Sequence, residues 1–519
     1  MKKSRLRREF SRALRACEAV ELTRPVRESE NRRWTAQIVT PCASAEARVT
    51  YVGQGEGADG PEPTVFWARV FNRVNTREER AMSHDLFGVM PEAPTEAKGT
   101  PKKPVEGNPR LMRPDRHQMR FVPTDLDSLL EEDHPARALW EIVEKLDLSK
   151  FEEALTARGD HPGRPAIDPR ILTTLWLYAI SEGEDSAREI ERLCDVHSAY
   201  RWIAGGVHVN HHTLSDFRVG HGEALDALFT QVLGVLKHQG LVDLKRTAQD
   251  GMKVRASAGA ASFRREKSLK ECLEEAKQQV KEVARQAQEK GAESAPRRVA
   301  ARERAARERQ ERVQKALEEL SKAREAKTTD EKKAEARVST TDPEARVMKM
   351  GDGGFRPAYN VELSTDTKTR VIVGVDLTNK GSDQGEITPM IQDIETRTGE
   401  KPQDHLVDGG FANKEDIQKA AQEGVTVYAP VQKPRKEGVD PHQPKPGDSP
   451  EVAEWRQRMG TPEAKEVYKE RAATAETTNA DLRTHRGLNR FLVRTMPKVK
   501  CVVLWAALTY NLLKLIATM

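Results

Sequence analysis

Three carboxylates define the chemistry open to this chain. An apolar stretch from Leu244 to Gln249 runs into Asp250-Gly251, and the cationic Lys253 and Arg255 follow at once. A second stretch, His405-Leu-Val, runs into Asp408-Gly409-Gly410. Each reads as a short strand ending in an aspartate beside a glycine, where the backbone turns and the carboxylate projects into an open site. Singly, an Asp-Gly pair is ordinary turn chemistry. Together, two strand-end aspartates on neighbouring strands can lie side by side, and carboxylates that close raise each other's pKa unless a divalent cation neutralises them. Ligation by oxygen alone suits Mg²⁺ or Mn²⁺ rather than zinc. A third carboxylate carried on a helix completes two cation positions about 4 Å apart, the arrangement used for in-line attack on a phosphodiester. Glu476 is the best candidate, because Asn479 and Arg483 follow at i+3 and i+7 on one helix face and Arg483 could hold a phosphate there. Glutamate is plentiful in this region, and by composition alone Glu476 also reads as a solvated surface residue.

The elements that must position these groups follow from periodicity. From Leu126 to Lys237 the pattern is helical. Asp168-Pro169 is a cap with proline at the first helical position, and it opens an apolar helix through Ile180. Ser186 to Glu189 and Thr213 to Asp216 both match a capping box. Arg188, Arg192, Arg201 and Arg218 lie on these helices, which suits a DNA-end-binding module or, equally, an ordinary bundle with a polar surface. His208, His211 and His212 precede the Thr213 cap, where a loop or capping role is expected ahead of metal ligation. Residues 264–337 are rich in Glu, Lys, Arg and Ala. Their heptad-like steps at Leu269, Leu273, Ala276 and Val280, and again at Val313, Leu317 and Leu320, predict a helical hairpin with stems of about 40 Å. Ala358 to Ser364 and Arg370 to Leu377 flank a turn at 365–368 and predict an antiparallel strand pair. A helix near 385–396 leads to the Asp408 strand. Further helices occupy roughly 450–486 and 498–517.

At 519 residues, with a net charge of +5, the chain has room for two to four domains. Its Lys and Arg cluster at 1–33, 101–120, 253–270, 297–333 and 483–500, a patchiness that suits a polyanionic partner. Five scattered cysteines without a C-x-x-C pair argue against a disulfide framework or a Cys-based zinc site and fit a reducing compartment. The basic N-terminus lacks an apolar core of signal-peptide length, and the apolar run Cys501 to Leu513 is too short to span a bilayer. A soluble protein with a buried closing helix is expected. Residues 1–81 have poor periodicity and are expected to be weakly ordered, with Met82 an alternative start of translation.

From about Met82 onward the chain resembles the insertion-sequence transposases of the acidic-triad (DDE) type. The marks are Glu132 to Arg137, Gly163 to Pro169, Glu182 to Leu193, Asn210 to Arg218, Asp250 to Ala256, Thr341 to Arg346, Tyr359 to Glu362, Asp408 to Phe411 and Tyr510 to Leu512, in the family's order. The resemblance implies an α+β chain: a helical DNA-binding domain at 121–240, after a linker at 82–120, and a ribonuclease-H-like mixed-sheet catalytic domain at 241–519. The catalytic domain would be interrupted by the charged insertion at 264–337. It further implies a catalytic and metal-ligating triad of Asp250, Asp408 and Glu476 holding two Mg²⁺ (or Mn²⁺) ions. DNA contacts would come from Lys253, Arg255, Arg471, Asn479, Arg483, Arg188, Arg192 and Arg218. The family's Tyr/Arg/Glu/Lys signature falls on Tyr468, Arg471, Glu476 and Arg483. Two departures stand out: arginine replaces lysine at 483, and four residues rather than three separate Arg471 from Glu476. The implied partners are double-stranded DNA, as terminal inverted repeats and target, and further copies of the chain in a homodimer or higher oligomer. The expected location is the bacterial cytoplasm, at the nucleoid. The competing class is a decayed or repurposed relative that binds DNA without chemistry. A coiled-coil scaffold built on 264–337 would leave the paired Asp-Gly motifs unexplained.

Overall fold

The computed structural model describes residues 33–38, 47–52, 125–153, 155, 157, 165–289, 296–433, 438 and 440–518. The chain divides into two units, Met1–His117 and Gln118–Met519. In the first, strands β1 (Arg33–Ile38) and β2 (Ala47–Val52) form an antiparallel pair that periodicity did not single out. Met82 and the whole of the 82–120 linker lie outside the described residues.

The second unit begins with helices whose starts are set by capping side chains: α1 (Pro135–Lys145), α2 (Pro169–Ser181), α3 (Ala187–Val196), α4 (Ser198–Ala204), α5 (His211–Gly220) and α6 (Gly222–His238). Asp168 accepts from Arg170 N at the start of α2, and Ser186 Oγ from Glu189 N at the start of α3. The second expected box is displaced. Asn210, not Thr213, caps α5 by accepting from His212 N, so Thr213 already lies inside the helix. His211 pairs with Glu191 through Nδ1 at 2.6 Å.

A six-stranded sheet follows, in the order β10-β9-β3-β7-β6 with β8 also on β7. Its strands are β3 (Arg246–Arg255), β6 (Arg346–Lys349), β7 (Phe355–Asp366), β8 (Ile372–Thr378), β9 (Asp404–Leu406) and β10 (Thr426–Tyr428). The β7–β8 hairpin forms as expected, and Asp366 holds its turn by accepting from Lys368 N and Thr369 N. β3 departs from expectation. It does not end at Gln249 but runs on to Arg255, because β7 offers it an antiparallel partner along its length, from Thr247↔Asp366 to Arg255↔Ala358. Asp250-Gly251 therefore sits inside a strand and is not a turn.

The charged insertion is a helical hairpin, α7 (Glu266–Glu289) and α8 (Pro296–Glu325). A two-residue ladder between β4 (Phe263–Arg264) and β5 (Val338–Ser339) closes its base. After β8 come α9 (Ile387–Thr398), α10 (Lys414–Gln422), α11 (Pro450–Gly460), α12 (Pro462–Arg471), a π-helical turn (Ala472–Glu476), α13 (Thr477–His485) and α14 (Met496–Ile516).

α14 is the helix that joins the parts. It packs against α2, α5 and α6 on one side and β8 on the other. Trp505 is fully buried and donates from Nε1 to Arg218 O, and the Asn511 amide bonds both Ile372 N (2.9 Å) and Ile372 O (2.8 Å). The buried amide thus acts as a strand partner for β8 and leaves no backbone group of Ile372 unmet there. Among the described residues it is the one helix long and apolar enough to cross a membrane, and most of it is buried inside the protein. The helices before residue 240 and the sheet after it consequently share one continuous apolar core.

Candidate active site

β3 and β9 are parallel, with Ala248 opposite Leu406. Two residues further along each chain come Asp250 and Asp408, so the parallel register sets both at the same level just beyond the last β3–β9 pair. Glu476 reaches them through a small-residue contact. Ala475, the penultimate residue of the π turn, is buried against Ala248 and Leu406, which stand two residues before the two aspartates. Methyl side chains on both Ala248 and Ala475 let the helix approach the sheet closely, which places the next residue, Glu476, beside the acids.

The π turn also solves a spacing problem. At about 100° per residue, positions five apart on an α-helix point about 140° away from each other. A turn closed by i→i+5 bonds brings the fifth residue back over the first. Arg471 accordingly meets Glu476, with Nη2 3.2 Å from Oε1, while its Nη1 lies 3.7 Å from Asp250 Oδ1. Asn479, on α13, donates from Nδ2 to Asp250 Oδ2 at 3.0 Å. Arg483, one turn on, donates to Lys253 O at 3.1 Å. Asp250, Gly251, Met252, Glu476, Asn479, Ala480, Arg483 and Thr484 line an open cleft of about 370 Å³.

The electrostatics record the convergence. Burial pushes the Asp250 carboxyl up to about 6, and Asp408 and Glu476 push it the same way, against the lowering effect of Arg471 and the Asn479 hydrogen bond. Burial holds the Arg483 guanidinium below its usual range, with Asp250 opposing. Among the described residues, no three side chains of His, Cys, Asp or Glu converge closely enough to hold a metal ion, and Arg471 is the positive charge that stands between Asp250 and Glu476.

Residues 124–220 match the family model described as a transposase domain (DUF772), and residues 325–512 match the transposase DDE domain. The chain belongs to the insertion-sequence DDE transposases. No curated protein and no solved structure matches this transposase. Asp408 and Glu476 fall inside the DDE match; Asp250 lies between the two matched segments, on the near side of the hairpin insertion.

Of the residues expected to touch DNA in the transposase, Arg471, Asn479 and Arg483 surround the acids, and Lys253 and Arg255 continue β3 away from them. Arg188 and Arg192 are exposed on α3, where Arg192 pairs with Glu189. Arg218 is a correction. It is buried, stacks on the Trp176 ring at 4.5 Å and donates to Asp185 O, so its guanidinium joins helices and is withdrawn from the surface. Burial also lowers its pKa to about 10.

A polar network on the opposite face of β3 carries no signal in the local sequence. His405 bridges Thr247 Oγ1 (2.8 Å) and Gln249 Oε1 (2.9 Å), and Gln249 Nε2 donates to Glu362 Oε2 at 3.1 Å. Asn360 Nδ2 then lies 2.6 Å from both Glu362 Oε1 and Asp383 Oδ1. Burial, with Asp383, Glu386 and Asp250 nearby, raises Glu362 to about 8, and burial lowers His405 to about 3. Tyr359-Asn-Val-Glu362 carried a family resemblance but no chemical role, and nothing in the local sequence marked Asp383.

Proposed function

We propose that this transposase binds the terminal inverted repeats of its mobile element, cleaves the phosphodiester at the element ends and joins the freed 3′-hydroxyl to target DNA. The observation that carries this reading is the shared level of Asp250 on β3 and Asp408 just past the end of the parallel β9, with Glu476 brought to them by the Ala475 contact. The donor set fits hard divalent cations: the three side chains offer only oxygens, and Asp250 is raised first by burial and then further by Asp408 and Glu476. Mg²⁺ or Mn²⁺, two ions in this reading, would when bound offset charge developing on the phosphate and make water a better nucleophile.

The chain's own residues do the rest. Asn479 fixes one oxygen of Asp250 and so orients the other. Arg471 neutralises Asp250 and Glu476 in the DNA-free protein, and on release from them it is placed to take a phosphate oxygen in a bidentate grip. Arg483, lining the same cleft, offers a second such contact. The mixed sheet around β3, β7 and β9 is read as ribonuclease-H-like, and the helices up to residue 240, with Arg188 and Arg192 exposed, as the end-binding part. Pairing two element ends calls for a homodimer or higher oligomer on double-stranded DNA, in the cytoplasm at the nucleoid.

A supercoiled donor plasmid carrying the element ends tests the proposal. Mg²⁺-dependent nicking by the wild type, lost in Asp408→Ala with end binding retained, is the expected result. Normal nicking by Asp408→Ala overturns the site assignment. Binding without nicking by the wild type would instead identify a sequence-specific DNA-binding protein that has lost its chemistry.

A further inference from the structure

Asp383 lies on the segment between β8 and α9, far in sequence from the three acids of the cleft. Two glycines leave room for it beside Gly251 and Asp408. A Cβ at Gly251 would stand 2.8 Å from Asp383 Oδ1 and 2.9 Å from Glu362 Oε1, closer than real side chains approach. A Cβ at Gly410 would stand 2.9 Å from Asp408 Oδ1 and 3.6 Å from Asp383 Oδ2. The one carboxylate therefore reaches from the residue after Asp250 to the residue two after Asp408, through space that both glycines leave open. Neither glycine has a positive φ, so close approach, not backbone conformation, is what the missing side chains provide.

A second observation comes from Asn360, which is fully buried. Its amide nitrogen lies between Glu362 and Asp383, while its buried amide oxygen has no partner. A buried polar oxygen without a partner is unfavourable by about 1–3 kcal/mol, and a cation or its hydration shell would satisfy it. Carboxylate and amide oxygens together make a hard donor set of the kind that takes Mg²⁺ or Mn²⁺.

We propose that Asp383 is a fourth carboxylate of the divalent-cation site, sharing with Asp408 a position that Gly251 and Gly410 leave open. The proposal rests on the reading of the cleft as a cation-dependent phosphodiester-cleaving site. Asp383 thereby ties the polar network behind β3 to Asp408, beyond the end of β9.

The test is an Mn²⁺ titration of the full chain, followed by electron paramagnetic resonance of the free ion, with thermal melting as a check on folding. Asp383→Asn keeps an oxygen for Asn360 to donate to and removes only the charge. Gly251→Ala pushes a methyl group against Asp383 and leaves every charge in place. Both variants should weaken one class of Mn²⁺ site by about ten- to a hundred-fold, and Asp250→Asn should weaken Mn²⁺ binding in the wild-type background. Wild-type affinity and stoichiometry in Asp383→Asn and Gly251→Ala, with loss in Asp250→Asn, would overturn the role of Asp383 and leave the cleft reading standing. Loss in Asp383→Asn with none in Asp250→Asn or Glu476→Gln would place the cation behind β3 and sink the cleft reading instead. A wild type that takes up no Mn²⁺ overturns both.

Discussion

The closing helix α14 and the charged hairpin α7–α8 are both long helical structures, and they bury themselves in opposite ways. Along α14 nearly every residue from Val499 to Leu512 is buried, whichever way it points. The hairpin buries a seam only: Leu269 and Ala276 on one stem, Ala306, Val313, Ala316 and Leu320 on the other. Its remaining surface is charged, with exposed pairs such as Arg309–Glu275. Its base is tied to the sheet by Glu319–Arg346 and Lys315–Glu344. The contrast teaches where the site gets its rigidity. Asp250 sits on a strand of the sheet that α14 clamps, with Asp408 just past the end of β9 and Glu476 held against that sheet through Ala475, whereas the hairpin is an appendage whose loosening need not reach them.

Substitutions in the two regions should therefore differ in size and reach. Trp505→Ala removes the largest side chain of α14 and its bond to Arg218 O. It should destabilise the whole second unit by about 3–5 kcal/mol in chemical denaturation. If instead only the helical segment melts early, the shared core is not cooperative. Ala475→Leu tests the contact between helix and sheet. Overpacking against Ala248 should destabilise by about 1–3 kcal/mol and displace Glu476, so that nicking falls far more than stability does. Equal falls in both would mean that Glu476 does not depend on that contact.

The network behind β3 predicts a pH response. Glu362 is raised in the folded protein from 4.5 to about 8, so its contribution is fully present below 4.5 and is lost as pH rises towards 8. His405, lowered from 6.5 to about 3, acts in the other sense, but its effect is complete by about pH 6.5. Between pH 6.5 and 8 stability should therefore fall, with a slope of at most about 1.4 kcal/mol per pH unit. Glu362→Gln should flatten that slope, whatever it does to absolute stability. An unchanged slope in urea melts across this range would refute the assignment. The smallest effect belongs to the hairpin. Arg309→Ala removes exposed contacts to Gln279 and Glu275 and should change stability by less than about 1 kcal/mol. A larger loss would show that the hairpin is part of the folding core.

What the sequence by itself determined is local. The Asp168-Pro169 start of α2, the Ser186 cap, the heptad steps of the hairpin and the turn at Asp366 all rest on bonds within a few residues or on a repeat of fixed period. Each was readable because its partners lie close in the chain. The chemistry of Asp408-Gly was also visible, as an acid past the end of a short strand. Only the tertiary structure decided the rest. That β3 continues through Asp250 depends on β7, more than a hundred residues away, and the level match of Asp250 with Asp408 depends on one parallel register across the intervening hairpin. The placement of Glu476 depends on a π turn and on the fit of Ala475 to Ala248 and Leu406. The loss of Arg218 to the interior and the arrival of Asp383 beside two glycines belong to the same class. In each case the deciding interaction joins segments whose local sequence carries no trace of the other, because strand register and close packing are fixed by the surface that the partner presents.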